Sequence, residues 1–222
     1  MRLKIAIAII ASMIPCASFA QGLSYVSCGT SSVPCFVQLQ ASTAVIGSVT
    51  GSYPVLVASS TMTRASNTTT YTANTAVCLN TSTTACVPMT VSLATTNAGK
   101  GLINRVLLLK SSATTTNASF NIWFYSTTPT TTSIYDDTAY VGPFKADVPY
   151  YIGSATCSTA NVTTDGSAGV WFECTLNNPN TGGAIPFQAA TGSTNISAML
   201  EVTAAYAPAS AETFTFYVSG VY

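Results

Sequence analysis

The side chains able to do chemistry are few, and one type is missing altogether. The chain has no histidine, so both the commonest general base and the commonest zinc ligand are absent. Ser-His-Asp and Cys-His catalysis and ordinary zinc sites are thereby excluded. The acids are Asp136, Asp137, Asp147, Asp165, Glu173, Glu201 and Glu212. A two-carboxylate glycosidase is arithmetically open to them, with Glu173 and Glu201 on strand-like segments where a pair could face one another. As single acids within alternating strands, however, those two read as solvent-facing. No Gly-x-Ser-x-Gly, P-loop or dinucleotide fingerprint occurs. The Asp136-Asp137 step within Ile134-Tyr135-Asp136-Asp137-Thr138-Ala139-Tyr140 is the most site-like feature. Oxygen-rich loops can hold calcium, and a structural turn is the simpler reading. Trp123, Trp171, Tyr150 and Tyr151 are the aromatics able to stack on a ligand, with core or interface packing as the plainer role. Trp171 with Asp165 is the best sugar-binding pair among them. No catalytic residue and no resident cofactor is expected.

The cysteines point to a compartment. With Cys16 set apart near the N-terminus, the other six fall as Cys28 and Cys35, Cys78 and Cys86, Cys157 and Cys174. Pairing of sequence neighbours would close loops of seven, eight and seventeen residues. Each is the size of a loop or hairpin staple, although six cysteines admit other connectivities. Clustered cysteine can also mean metal, yet no C-x-x-C pair accompanies it. Disulfides, and with them an oxidising environment, are expected.

The N-terminus agrees. Arg2 and Lys4 precede an apolar run from Ile5 to Ile14, Pro15 breaks it, and Ser18-Phe19-Ala20 supplies small residues where a signal peptidase reads. Cleavage is expected after Ala20. The run is about half of the ~20 residues a membrane-spanning helix needs, so a stable span is not expected. An uncleaved apolar arm is the remaining alternative. Charged residues make up 6% of the chain at zero net charge, which leaves no electrostatic footprint for nucleic acid or an anionic membrane.

The elements that must position these side chains are strands. Val87, Met89, Val91 and Leu93 alternate with Pro88, Thr90, Ser92 and Ala94, Phe120, Ile122 and Phe124 with Asn121, Trp123 and Tyr125, and Val170, Phe172, Cys174 and Leu176 with Trp171, Glu173 and Thr175. Ile196, Ala198, Leu200 and Val202 repeat the pattern, followed by Phe214, Phe216 and Val218. Period two is the mark of a half-buried strand. Val106 to Leu109 is instead continuously apolar, as for a strand covered on both faces. Clusters such as Ser126 to Ser133 and Asn177 to Gly183 carry turn chemistry. The fold class expected is all-β, an antiparallel, jelly-roll-like sandwich. Its domains would be a leader over 1–20, an N-terminal arm or extra hairpin over 21–60, and the sandwich over 61–222.

Thr63-Arg64-Ala65-Ser66-Asn67-Thr68-Thr69-Thr70-Tyr71-Thr72-Ala73 resembles the R-P-A-D-T-T-A-Y-x-A-G segment of a family of tailed-bacteriophage virion structural proteins. Further pieces follow in the family's order. Gly99-Lys100-Gly101-Leu102-Ile103 resembles its glycine-rich lead into a strand, and Phe120 to Phe124 with Thr128-Pro129-Thr130 its L-x-L-x-L-F-x-x-x-P-T run. Tyr135 to Tyr140 is similar to its D-N-A-A-F turn, and Ile185-Pro186-Phe187, Tyr206-Ala207-Pro208 and Glu212-Thr213-Phe214 fit its C-terminal part. The resemblance covers about residues 63–222. It implies a jelly-roll-like protein that decorates or cements a capsid, without catalytic residues, as a homo-oligomer in contact with a major capsid protein or another virion subunit. The chain departs from the family at Ala65, where the family has Pro, at Asn74, where it has Gly, and in its leader and cysteine pairs. Those last two features suit export, and a secreted adhesin, carbohydrate-binding sandwich or filament subunit is the alternative expectation.

Overall fold

The structure is a computed structural model, and it describes residues 55–79, 85–112, 117–164, 169–179 and 183–221. The expectations for the leader, for most of the arm, for Cys28 and Cys35 and for Asp165 lie outside the described residues. Eleven strands are found among those described: β1 (Val55–Thr63), β2 (Thr75–Val77), β3 (Met89–Ser92), β4 (Lys100–Lys110), β5 (Phe120–Tyr125), β6 (Tyr151–Cys157), β7 (Val162–Thr164), β8 (Val170–Asn177), β9 (Ile185–Gln188), β10 (Asn195–Val202) and β11 (Thr213–Val221). Every pairing between them is antiparallel. The all-β class read from period two is therefore the fold.

The strand order is β1-β11-β4-β8 in one layer and β6-β5-β10 in the other, with β2 and β3 side by side on the far edge of β10. In chain order the principal strands are β1, β3, β4, β5, β6, β8, β10 and β11. One layer then holds the first, eighth, third and sixth, and the other the second, seventh, fourth and fifth. That interleaving is the jelly roll. β8 belongs to both layers: Val170 to Cys174 pair with β4, while Thr175 to Asn177 pair with β6. The two layers are thus one curled sheet folded along this strand. β1 pairs with β11 from Val55 to Thr63, so residues 55–60 belong to the sheet and the boundary expected after residue 60 falls inside a strand.

Alternation decides what enters the core. Phe214 and Phe216 of β11 meet Phe120 and Phe124 of β5 across the layers, with ring centroids 5.5 Å apart for Phe120 and Phe214 and 6.5 Å for Phe124 and Phe216. Phe172 of β8 closes on Phe120 from the side at 5.7 Å. Each such ring contributes roughly 1.5–3 kcal/mol through the area it removes from water. Two expectations need correction. Val87 is 56% exposed and precedes β3, so it does not share the inward face of Met89 and Val91. Leu107 and Leu109 are half-exposed, not covered on both sides; their outer face carries the cross-strand neighbours Tyr217 and Glu173 beside Leu107, and Thr215 and Trp171 beside Leu109.

A second apolar cluster lies outside the sandwich. Residues between β5 and β6 place Ile134, Tyr140 and Phe144 against Tyr125 and Met199, joined by Ala76, Cys78 and Cys86. One layer therefore carries a covered outer face. The other keeps Val55, Val57 and Tyr217 exposed.

Candidate functional site

Residues from several of the resembling segments come together around Arg64 and Tyr71. Met62 of β1 points into the core, and two residues on the same parity puts Arg64 inside, 3% exposed. Tyr71 is drawn in by a bridge to Tyr206, with Tyr71 N–H donating to the Tyr206 carbonyl at 2.8 Å. Arg64 Nε donates to the Tyr71 hydroxyl, which donates to Asp136 Oδ1 at 2.6 Å. The same Oδ1 accepts the Cys78 amide at 2.9 Å, and Arg64 Nη2 stands 3.6 Å from Oδ2. The guanidinium also lies 4.6 Å from the centre of the Tyr71 ring. Burial raises the Asp136 pKa, opposed by its bonds from Tyr71 and Cys78 and by the charge of Arg64. Burial, then the bond to Asp136, raises that of Tyr71. A cleft of about 260 Å³ opens above this group, lined by Arg64, Asn67, Tyr71, Asp136 and Thr138 among others.

Asp136 and Asp137 divide the work of a turn. Asp137 sits at a φ of 59° and its Oδ1 accepts the Thr72 amide and the Thr75 hydroxyl, both at 3.0 Å. Asp136 turns the other way, to Arg64 and Tyr71. The cation facing Asp136 is a guanidinium, and the two carboxylates hold separate partners, Asp136 with Arg64, Tyr71 and Cys78 and Asp137 with Thr72 and Thr75. Among the described residues no three of cysteine, aspartate and glutamate gather to hold a metal.

A second buried ion pair lies across the core. Lys110 Nζ is 3.1 Å from Glu212 Oε1, with both side chains fully buried. Glu212 Oε2 accepts the Tyr206 hydroxyl, and the Lys110 ammonium lies 5.3 Å from the centre of the Tyr206 ring. Burial lowers the Lys110 pKa, and Glu212 opposes the shift. Sequence reading missed this pair, though parity held the signal. Lys110 follows Val106 and Leu108 on the inward face of β4, and Glu212 precedes Phe214 on that of β11.

Glu173 and Glu201 do not face one another. Glu173 is exposed on β8 and bonded to Arg105 Nε at 3.1 Å, and β6 and β5 lie between β8 and β10 in the sheet. Glu201 departs from its solvent-facing expectation: it is 2% exposed on β10 and accepts the Trp123 indole N–H at 2.7 Å and the Asn121 amide at 3.2 Å. Its residue parity does point away from the sandwich core, but the covering segment between β5 and β6 makes that face a second interior. Burial raises the Glu201 pKa, with the two hydrogen bonds opposing. Trp123 and Tyr151 pack on each other at 5.8 Å against that cluster. Gly142, at a φ of 113°, lies against the Trp123 ring, where an added Cβ would stand 3.0 Å from Cη2. Nearby, the Tyr125 and Tyr140 hydroxyls bond to each other. Burial pushes Tyr125 up to about 12 and raises Tyr140 further.

Of the four aromatics, Trp123 and Tyr151 are thus packing residues. Tyr150 is 45% exposed as the last residue of the short 3-10 turn Val148–Tyr150, and Trp171 stands partly exposed on the outer face of β8. The cysteine pairs Cys78–Cys86 and Cys157–Cys174 are disulfides, as their spacing led one to expect. They indicate an oxidising, extracellular or periplasmic setting. No helix among the described residues is long and apolar enough to cross a membrane.

No protein-family model matches the chain, and no curated protein matches it in sequence. Arg64, Tyr71, Asp136, Tyr206 and Glu212, drawn from four separate motif segments, stand in one connected group.

Proposed function

We propose that this chain is a non-enzymatic virion structural protein that decorates or cements a phage capsid through protein-protein contacts. The observation that carries this reading is that the motif residues form an internal latch: their charges and hydroxyls are turned on one another, closing one end of a jelly roll. Such a latch stiffens a building piece and leaves recognition to surfaces. Low charge, an open sheet face bearing Val55, Val57 and Tyr217, and the order of the resembling motifs support the same reading. Further copies of the chain and a major capsid protein are the proposed partners. The chain reaches them after export through its cleaved leader, or with the leader kept as an apolar arm.

Purified phage particles analysed by mass spectrometry test this. The expected result is the chain in stoichiometric amount on heads, beginning at Gln21 or Met1, together with rebinding of the recombinant chain to stripped heads. Absence from particles combined with a secreted Gln21 form would overturn it. The alternative, a secreted adhesin or carbohydrate-binding sandwich, is favoured by one observation, the groove beside Trp171.

A further inference from the structure

We infer that the groove beside Trp171 binds a neutral pyranose sugar through the flat C–H face of its ring. This inference rests on a different part of the molecule from the capsid reading. Trp171 lies on the outer face of β8, between Leu109 of β4 and Thr163 of β7. The short 3-10 turn Thr159–Asn161, capped by Ser158 accepting the Ala160 amide at 3.2 Å, raises one wall above it. Glu173, two residues on and on the same face, forms the other side. The depression between them is about 480 Å³ and open to solvent, lined by Asn161, Thr163, Trp171 and Glu173 with Ala160 and Val162.

The chemistry of the lining selects the ligand class. The two tryptophans differ in a telling way. Both are partly buried, but the Trp123 indole N–H is held by Glu201 and its ring packs on Tyr151, whereas the Trp171 indole has no hydrogen-bond partner among the described residues. The Asn161 amide and the Thr163 hydroxyl are likewise without side-chain partners among the described residues, and both residues are exposed. Glu173 spends one oxygen, Oε1, on Arg105, which balances its charge. An aromatic plane offers its negative face to polarised C–H groups. Around it stand an amide with two donors and an acceptor, a hydroxyl, and a free carboxylate oxygen. A pyranose with equatorial hydroxyls matches that set, with an apolar face for the ring and vicinal hydroxyls for Asn161 and Glu173. The compensated charge disfavours an ionic ligand, and the polar rim disfavours an apolar one.

The test is an NMR titration of the ¹⁵N-labelled full chain, whose two tryptophans give two indole N–H signals, assigned with Trp171→Phe. The probes are cellotriose and chitotriose. The expected result is saturable movement of the Trp171 signal with at least one probe, at a Kd of about 1 mM, while the Trp123 signal stays in place. Asn161→Ala, a change on an exposed turn, is expected to weaken that binding about tenfold with an unchanged melting temperature. No saturable movement with either trisaccharide overturns the inference. So does equal movement of both indole signals, or an Asn161→Ala affinity equal to that of the unaltered chain.

Discussion

Asp136 is worth more to this molecule than its two bonded neighbours suggest, because among the described residues it is the carboxylate that faces the Arg64 guanidinium, which is 3% exposed. Replacing it with alanine would strand Arg64, the Tyr71 hydroxyl and the Cys78 amide in a place water scarcely reaches. Asp136→Ala is therefore expected to cost about 3–5 kcal/mol, the usual penalty of an uncompensated buried charge. Tyr71→Phe keeps the ring and the charge pair and removes one hydroxyl, so it should cost only about 1–2 kcal/mol. Urea denaturation of the two variants checks the ordering, and equal losses would show that the charge pair contributes little. These roles were partly legible in the residues: Met62 and Phe214 set a parity that puts Arg64 and Glu212 inside. The partners were not legible, because parity tells which way a side chain points and not which distant residue it meets.

Among the elements, β8 carries the greatest structural burden, since among the described residues it is the strand through which the two layers are continuous. The Cys157–Cys174 disulfide joins β6 to β8 at the residue where β8 leaves β6 for β4, with Cα atoms 4.1 Å apart. Replacing both cysteines by alanine should lower stability by about 3 kcal/mol, the chain-entropy value for a loop near this size. Chemical denaturation of the variant measures it, and a loss below about 1 kcal/mol would mean that the ladder alone holds the layers together. β6 has a second sensitive point. Gly153 sits at a φ of 152° beside a register shift, and an added Cβ would stand 2.8 Å from Ile185 Cγ2. Gly153→Ala is expected to destabilise by about 1–3 kcal/mol through overpacking, with Gly183→Ala, where nothing lies within 4 Å, as a comparison that isolates the backbone cost. The existence of these strands was visible in period two, whereas the register shift at Gly153 depends on what crosses it.

For the whole molecule the buried tyrosines set the response to alkali. Tyr71, Tyr125 and Tyr140 all have pKa values raised above 10.0, chiefly by burial. Above pH 10 the unfolded chain releases those protons while the folded chain keeps them. Their contribution is complete below pH 10 and is lost as pH rises towards the folded values, about 12 for Tyr125 and higher for the others. Each can remove up to ~1.4 kcal/mol per pH unit, so three together reach ~4 kcal/mol per unit. Lys110 acts in the opposite sense, since its folded pKa is lowered from 10.5 and stability rises with pH across that interval, but one group is outweighed by three. Asp136 and Glu201, both raised, contribute most at low pH and less as pH climbs through their folded values. Thermal melts from pH 7 to 11, with absorbance at 295 nm following phenolate, should show a steep fall beginning near pH 10. A flat profile, or early ionisation of these tyrosines in the folded chain, would contradict it.

By itself the sequence determined the class of fold, because alternation of large apolar and polar residues can satisfy a core and water together only as strands. It also made sequence-neighbour disulfides the expected pairing, while the connectivity of Cys78–Cys86 and Cys157–Cys174 was settled by the fold. Tertiary structure alone decided that β4 lies between β11 and β8 and that Lys110 meets Glu212. It also decided that the outward parity of Met199 and Glu201 leads into a second interior with Trp123 partly buried against it, while the same parity leaves Glu173 exposed. The physical reason is that period two assigns each residue to a face of its own strand. What covers that face is set by segments far away along the chain, through contacts that leave no local trace.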